Sequence, residues 1–168
     1  MMPPPYTQAN NPGCGRRDQR LTGRHEGEDD DVEPAIICDL DGTLADLGDR
    51  HPFDFKRVDQ DTVKHATAEL VRIMHRVGYR IILFSGRNDS ARDLTISWLK
   101  LNEIPFDELS MRRTGDRRKD SVVKRQMYEQ TVAGKYDVLF VLDDRDQVVD
   151  MWRKELKLPC FQVDYGDF

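Results

Sequence analysis

The chain has 168 residues, 38% hydrophobic and 34% charged, with a formal net charge of −5. That length suits one domain with a proper core and is short for two, and the composition is that of a globular protein with a very polar surface. No window approaches the apolar length of a membrane span and no signal-type segment opens the chain. Three cysteines without a CxxC pair argue against a disulfide framework or a zinc site and point to a reducing cytoplasm.

The first 33 residues are rich in Pro, Gly, Asn, Asp and Arg and nearly devoid of branched apolar side chains. They cannot bury enough surface to offset the entropy of ordering, which predicts a disordered tail. Its GRRDQR run reads either as a nucleic-acid arm or, more commonly for such runs, as a solvated leader. From 34 to 168 short apolar runs alternate with amphipathic segments. Ala35–Cys38 is a strand, and Asp61–Val77 carries Val63, Ala66, Leu70, Ile73, Met74 and Val77 at helical spacing, with Gly78 ending it. YRIILFS is a second strand, SARDLTISWLKL a helix through Leu94, Trp98 and Leu101, and FDELSMR a short strand. KDSVVKRQMYEQTV is helical, YDVLFVL a strand, DQVVDMWRKEL helical and PCFQVD the last strand. Strands alternating with helices, each apolar run nearly continuous, specify an α/β fold with a parallel sheet covered on both faces.

Ligands of such sheets bind beyond the carboxyl ends of the strands. Here those ends read Asp39-Leu40-Asp41-Gly42-Thr43, Ser85-Gly86-Arg87 and Asp143-Asp144-Arg145. Taken singly, an aspartate there is a turn former or helix cap, and Ser-Gly-Arg is a common turn. Taken together and in order, they bring Asp39, Asp41, Asp143 and Asp144 to one edge. That many carboxylates require a cation, and an all-oxygen donor set selects Mg²⁺.

The segments ICDLDGTL, LFSGR and VLDDR resemble motifs I, II and IV of the haloacid dehalogenase superfamily of aspartyl-phosphate phosphotransferases. GDRRKDSVVK, DDRDQVVDMWR and the terminal GDF narrow the resemblance to the 3′-phosphatase domain of bacteriophage-type polynucleotide kinase/phosphatases, over residues 34–168. It implies a three-layer Rossmannoid fold with a central parallel sheet and no large cap domain. It also implies Asp39 as the nucleophile and Asp41 as general acid and then base. Mg²⁺ would be held by Asp39, the Asp41 carbonyl and Asp144, with Asp143 in support. Ser85, Gly86, Arg87, Arg50 and Thr43 would surround the phosphate. Lys119 and Lys124 compete for the motif III lysine. The resemblance favours Lys124, and Asp120, four residues before it, can hold its ammonium.

The same resemblance implies 3′-phosphorylated DNA or RNA ends as substrates, with a 2′,3′-cyclic phosphodiesterase activity and a separately encoded polynucleotide kinase or ligase partner as extensions. A kinase half would need GxxxxGK followed by Ser or Thr, and no such run occurs, so a free-standing phosphatase is expected. The intervals after motifs I and II leave no room for a cap, which suits a macromolecular end. The basic run Arg112, Arg113, Arg117 and Arg118 is either a solvated loop or a track for the polymer backbone. Two rivals stay open: an uncapped phosphatase for a nucleotide, sugar phosphate or phosphoprotein, and a non-catalytic end-binding module.

Overall fold

The computed structural model describes residues 32–51 and 54–166. The expected tail thus lies outside the described residues, apart from Val32 and Glu33. Glu33 already belongs to the first strand, where its carboxylate pairs with Arg80 at 2.6 Å.

In chain order the elements are β1 (Glu33–Asp39), β2 (Ala45–Asp46), β3 (Thr62–Val63), α1 (His65–Arg76), β4 (Arg80–Asn88) and α2 (Arg92–Leu101). Then follow β5 (Glu108–Arg112), α3 (Asp120–Thr131), β6 (Tyr136–Arg145), α4 (Asp146–Asp150) and β7 (Cys160–Gly166). The five long strands form one parallel sheet in the order β5-β4-β1-β6-β7. α4 continues as a wider π turn over Met151–Glu155.

Successive strand residues point to opposite faces, and the core divides accordingly. Ile36, Cys38, Ile81, Leu83, Phe140 and Leu142 pack with Ala68 and Val71 of α1 and with Trp98 and Leu99 of α2. Ala35, Ile37, Ile82, Phe84 and Val141 pack with Val123 and Met127 of α3 and with Val148, Val149 and Trp152 beyond β6. The result is the expected three-layer α/β architecture, helix pairs on both faces of a parallel sheet. Among the described residues, the chain adds between β1 and α1 only the small β2–β3 pair and a 3₁₀ turn over Phe55–Gln60, with no cap domain. Cys38 and Cys160 are buried free thiols, both pushed up by burial, Cys160 to about 12.

Two helical faces differ from the sequence expectation. The helix expected from Asp61 begins at His65, because Thr62–Val63 pairs with β2 instead. Its buried face is centred on Ala68 and Val71, while Ile73 and Val77 are exposed. In α2, Trp98 is buried as expected, but Thr95 and Leu99 flank it, and Leu101 is 78% exposed.

The strand order places the site. From β1 the chain moves outward through β4 to β5, then returns across β1 to β6. The crevice where the order reverses lies at the carboxyl ends of β1 and β6. Asp39 and the Asp143-Asp144 pair sit there.

Candidate active site

β1 delivers Asp39 and then turns sharply. Thr43, Leu44 and Ala45 all donate their N–H groups to the Leu40 carbonyl, at 3.2, 2.8 and 2.8 Å. Gly42 makes the turn with φ +86, and a Cβ there would lie 2.1 Å from Asp144 Oδ2. Only glycine admits both that dihedral and that approach. The Thr43 hydroxyl donates to Asp144 Oδ1 at 3.4 Å, so it supports the acidic cluster from behind.

Asp39, Asp143 and Asp144 are buried, and each offers a carboxylate oxygen within 4.8 Å of the others. Lys124, on α3, reaches into them with its ammonium 2.7 Å from Asp39, 2.8 Å from Asp143 and 3.5 Å from Asp120. Burial opposes the lysine's charge, but the three carboxylates outweigh it and hold Lys124 protonated, well above the ordinary lysine value. Burial pushes the Asp39 carboxyl well up; Lys124 opposes this, and the neighbouring aspartates add to it. Asp144 is pushed up to about 6, by burial first and then by Asp143. One ammonium therefore does not balance the cluster. A divalent cation would, and the donors are all oxygen, so the residues present fit Mg²⁺.

Asp41, two residues on from Asp39, stands in different surroundings. Arg87 donates to it from Nε, at 3.0 and 2.9 Å to the two oxygens, and from Nη2 at 2.7 Å; Arg50 Nη2 adds a bond of 3.0 Å. Both arginines also grip Asp61, Arg50 through Nε and Nη2 at 2.6 and 2.8 Å and Arg87 through Nη2 at 2.6 Å. Asp61 is held in turn by the Trp98 indole N–H, which donates to its carbonyl at 2.7 Å. Arg50 and Arg87, expected around the phosphate, thus have carboxylate partners here, and what they fix is the side chain of Asp41. Sequence reasoning missed Asp61, which it read only as a helix start. No motif marks it; its side chain is 1% exposed because the β1–α1 connection folds back over the sheet end.

The remaining expected residues separate into two groups. Ser85 Oγ accepts the Arg87 N–H at 3.1 Å within β4, where the strand's register against β5 shifts. Gly86 lines the cavity over Asp39, and a Cβ on it would meet Asp120 Oδ1 at 2.8 Å. Asp120 binds Arg112 at 2.8 Å and faces Lys124 and Arg145. Burial pushes its carboxyl up, but these three cations outweigh it and hold it below the ordinary range. Lys119 is exposed and lines the cavity, and it makes no ion pair with the carboxylates that hold Lys124. The cavity, about 760 Å³, is lined by Asp39, Asp41, Lys124 and Asp144. Phe55 forms part of its wall, as do Arg117, Arg118 and Lys119.

A sheet switch point carrying Asp39, Lys124 and the Asp143-Asp144 pair is the arrangement expected of a phosphatase-type haloacid dehalogenase domain. Residues 33–168 match the family model of the polynucleotide kinase PNKP phosphatase domain, and the chain belongs to that family. It is 38% identical over 140 residues to a protein of Autographa californica nuclear polyhedrosis virus described as a bifunctional polynucleotide kinase/RNA ligase, covering 80% of this chain and 20% of that one. A chain in the solved Pnkp1/Rnl/Hen1 complex is 44% identical, with TM-score 0.81, over 92% of this chain and 53% of that one. This chain therefore spans a fifth of the viral relative and about half of the repair-complex chain. The class C acid phosphatase of Bacillus anthracis shares the fold, at 19% identity and TM-score 0.54, over 70% of this chain and 54% of that one. Among the described residues no helix is long and apolar enough to cross a membrane.

Proposed function

We propose that the chain is a Mg²⁺-dependent polynucleotide 3′-phosphatase that works through a phosphoryl-aspartate on Asp39. The observation that carries the reading is the division between the two motif I acids. Asp39 lies inside a buried acidic cluster beside Lys124, whereas Asp41 is turned away into the Arg50–Arg87 clamp. Two carboxylates in contrasting surroundings suit two chemical roles. Family membership over residues 33–168 supports the polynucleotide end as substrate, and the uncapped site suits a macromolecule.

Asp39, Asp143, Asp144 and the Asp41 carbonyl would hold Mg²⁺, which when bound offsets charge on the phosphoryl oxygens. The Asp39 carboxylate attacks phosphorus, and the bond to the 3′ oxygen breaks. Asp41 gives its proton to that oxygen, leaving a 3′-hydroxyl. Asp41 then takes a proton from water, whose oxygen attacks the phosphoryl-aspartate, releasing inorganic phosphate and restoring Asp39. Lys124 steadies Asp39 and Asp143 throughout, and the Gly86 N–H would face the phosphoryl oxygens, with Ser85 behind it fixing the turn through its bond to the Arg87 N–H. A kinase or ligase would act with it as a partner, since the viral relative is described as a polynucleotide kinase/RNA ligase and the solved chain sits in a complex with Rnl and Hen1. Activity on 2′,3′-cyclic ends and work in the cytoplasm belong to the same reading.

The test compares phosphate release from a 3′-phosphorylated oligonucleotide, a 5′-phosphorylated one and a sugar phosphate, each with and without Mg²⁺. The reading predicts turnover of the first alone, and only with the metal. Equal turnover of all three would favour a general uncapped phosphatase. Binding of ends with no turnover at all would favour a non-catalytic module.

A further inference from the structure

Four of the cations around the connection between β5 and α3, Arg112, Arg117, Arg118 and Lys119, divide in the structure into two sets with different work. Arg112 spends its donors on the protein: on the carbonyls of Gly86, Asp116 and Arg118 at 3.1, 3.3 and 2.8 Å, and on Asp120 Oδ1 at 2.8 Å. Arg118 grips Asp116 at 2.6 Å and Gln126 at 2.6 Å. These two arginines brace the loop between β5 and α3. The side chains of Arg117 and Lys119 make no hydrogen bond or ion pair with any described residue. Both are exposed, and both line the cavity that ends at Asp39.

A cation already paired inside the protein must break that pair to bind a ligand. Arg117 and Lys119 have nothing to break, and the loop that carries them is already fixed, so little ordering cost remains. At about 760 Å³ the cavity extends well beyond the room a phosphoryl group needs at Asp39. We propose that Arg117 and Lys119 hold the internucleotide phosphate next to the 3′-terminal nucleoside, so that the site selects polynucleotide ends over 3′-mononucleotides. This inference rests on the 3′-phosphatase reading and deepens it. Arg112 and Arg118 take no part in the contact.

The experiment follows kcat/KM along a series: a nucleoside 3′-phosphate, then 3′-phosphorylated di-, tri- and tetranucleotides, each divided by the rate on an aryl phosphate. The native protein should gain about tenfold or more at the step from one nucleotide to two, since charge-assisted contacts to phosphate are of this order even when partly solvated. Arg117→Gln/Lys119→Gln should abolish that step. It should also shallow the log–log salt dependence of oligonucleotide binding by about 0.7, the value for one phosphate of a single strand. The charge-preserving exchange Arg117→Lys/Lys119→Arg should keep most of both, and it guards against mistaking misfolding for lost contact. A native protein with no gain at the second nucleotide would overturn the inference, as would a double variant that keeps the gain and the slope; in both cases the 3′-phosphatase reading would stand. If no 3′-phosphorylated end in the series were turned over, that reading would fall and this inference with it.

Discussion

Lys124→Met tests the electrostatics of the cluster without adding bulk. The ammonium is 1% exposed and serves Asp39, Asp143 and Asp120 at once. Removing it leaves buried carboxylates that have lost their shared counter-charge, and breaking a buried pair this way costs about 3–5 kcal/mol. Against a total stability of about 5–15 kcal/mol that is a large fraction. For a chain of this length it corresponds to a fall in Tm of about 6–20 °C, at about 2–4 °C per kcal/mol. The assay is thermal unfolding by circular dichroism in chelator, repeated with Mg²⁺ and at several pH values. Two recoveries should follow. Mg²⁺ should restore more Tm in the variant than in the native protein. The deficit should also shrink as pH falls, because Asp39, already pushed above the usual carboxylate range, is relieved once protonated. A Tm within about a degree of native in chelator at neutral pH would refute the reasoning, for it would mean the carboxylates find other relief.

Three further outcomes follow from the same geometry. Asp61→Asn leaves the two buried guanidiniums with Asp41 as their only carboxylate partner among those described, so kcat should fall about 10–100-fold with KM little changed, less than for Asp41→Asn, where proton transfer worth about 10²–10⁴-fold is lost; steady-state kinetics on a 3′-phosphorylated oligonucleotide decide it. In metal-free protein the Asp144 carboxyl is pushed up to about 6; a raised carboxyl favours the folded state below the unfolded value, so its contribution to stability should decline from about pH 4 to pH 6, and Mg²⁺ should flatten that decline in a denaturant titration of native protein against Asp144→Asn. Gly42→Ala places a methyl 2.1 Å from Asp144 Oδ2 at positive φ, so activity and Mg²⁺-dependent Tm elevation should both be lost, whereas Gly134→Ala, also at positive φ but with open space for a Cβ, should cost only stability.

The strand ends could be read from sequence because their signal is local: an apolar run halts at a polar residue, and parallel topology then sends every such halt to one edge. That points to Asp39, Asp143 and Asp144 at one edge, where the structure has them together, whereas Lys124, on a helix, was reached through the family resemblance and its spacing from Asp120. Helix faces were less legible. The rotation of α1 and α2 is set by how each lies on the sheet, so small residues such as Ala68 and Thr95 are buried while Leu101 is exposed. The clamp around Asp41 was half legible. Arg50 and Arg87 were expected near a phosphate, yet both bind Asp61, which spacing alone cannot bring to them. The basic run showed its charge but not its division, since only tertiary contacts reveal that Arg112 and Arg118 are occupied and Arg117 is not.

The central claim, that Asp39 takes the phosphoryl group from a 3′ end, can be tested in one measurement. An oligonucleotide radiolabelled in its 3′-phosphate is mixed with Mg²⁺ and the Asp41→Asn variant, in which hydrolysis of the intermediate should be slowed. The reaction is quenched in acid within the first turnover, and the labelled peptide is identified by mass spectrometry. The account predicts label on Asp39, discharged by hydroxylamine as an acyl phosphate is, with none from an oligonucleotide labelled at its 5′ end. Label on another residue, or equal labelling from the 5′ end, would contradict it.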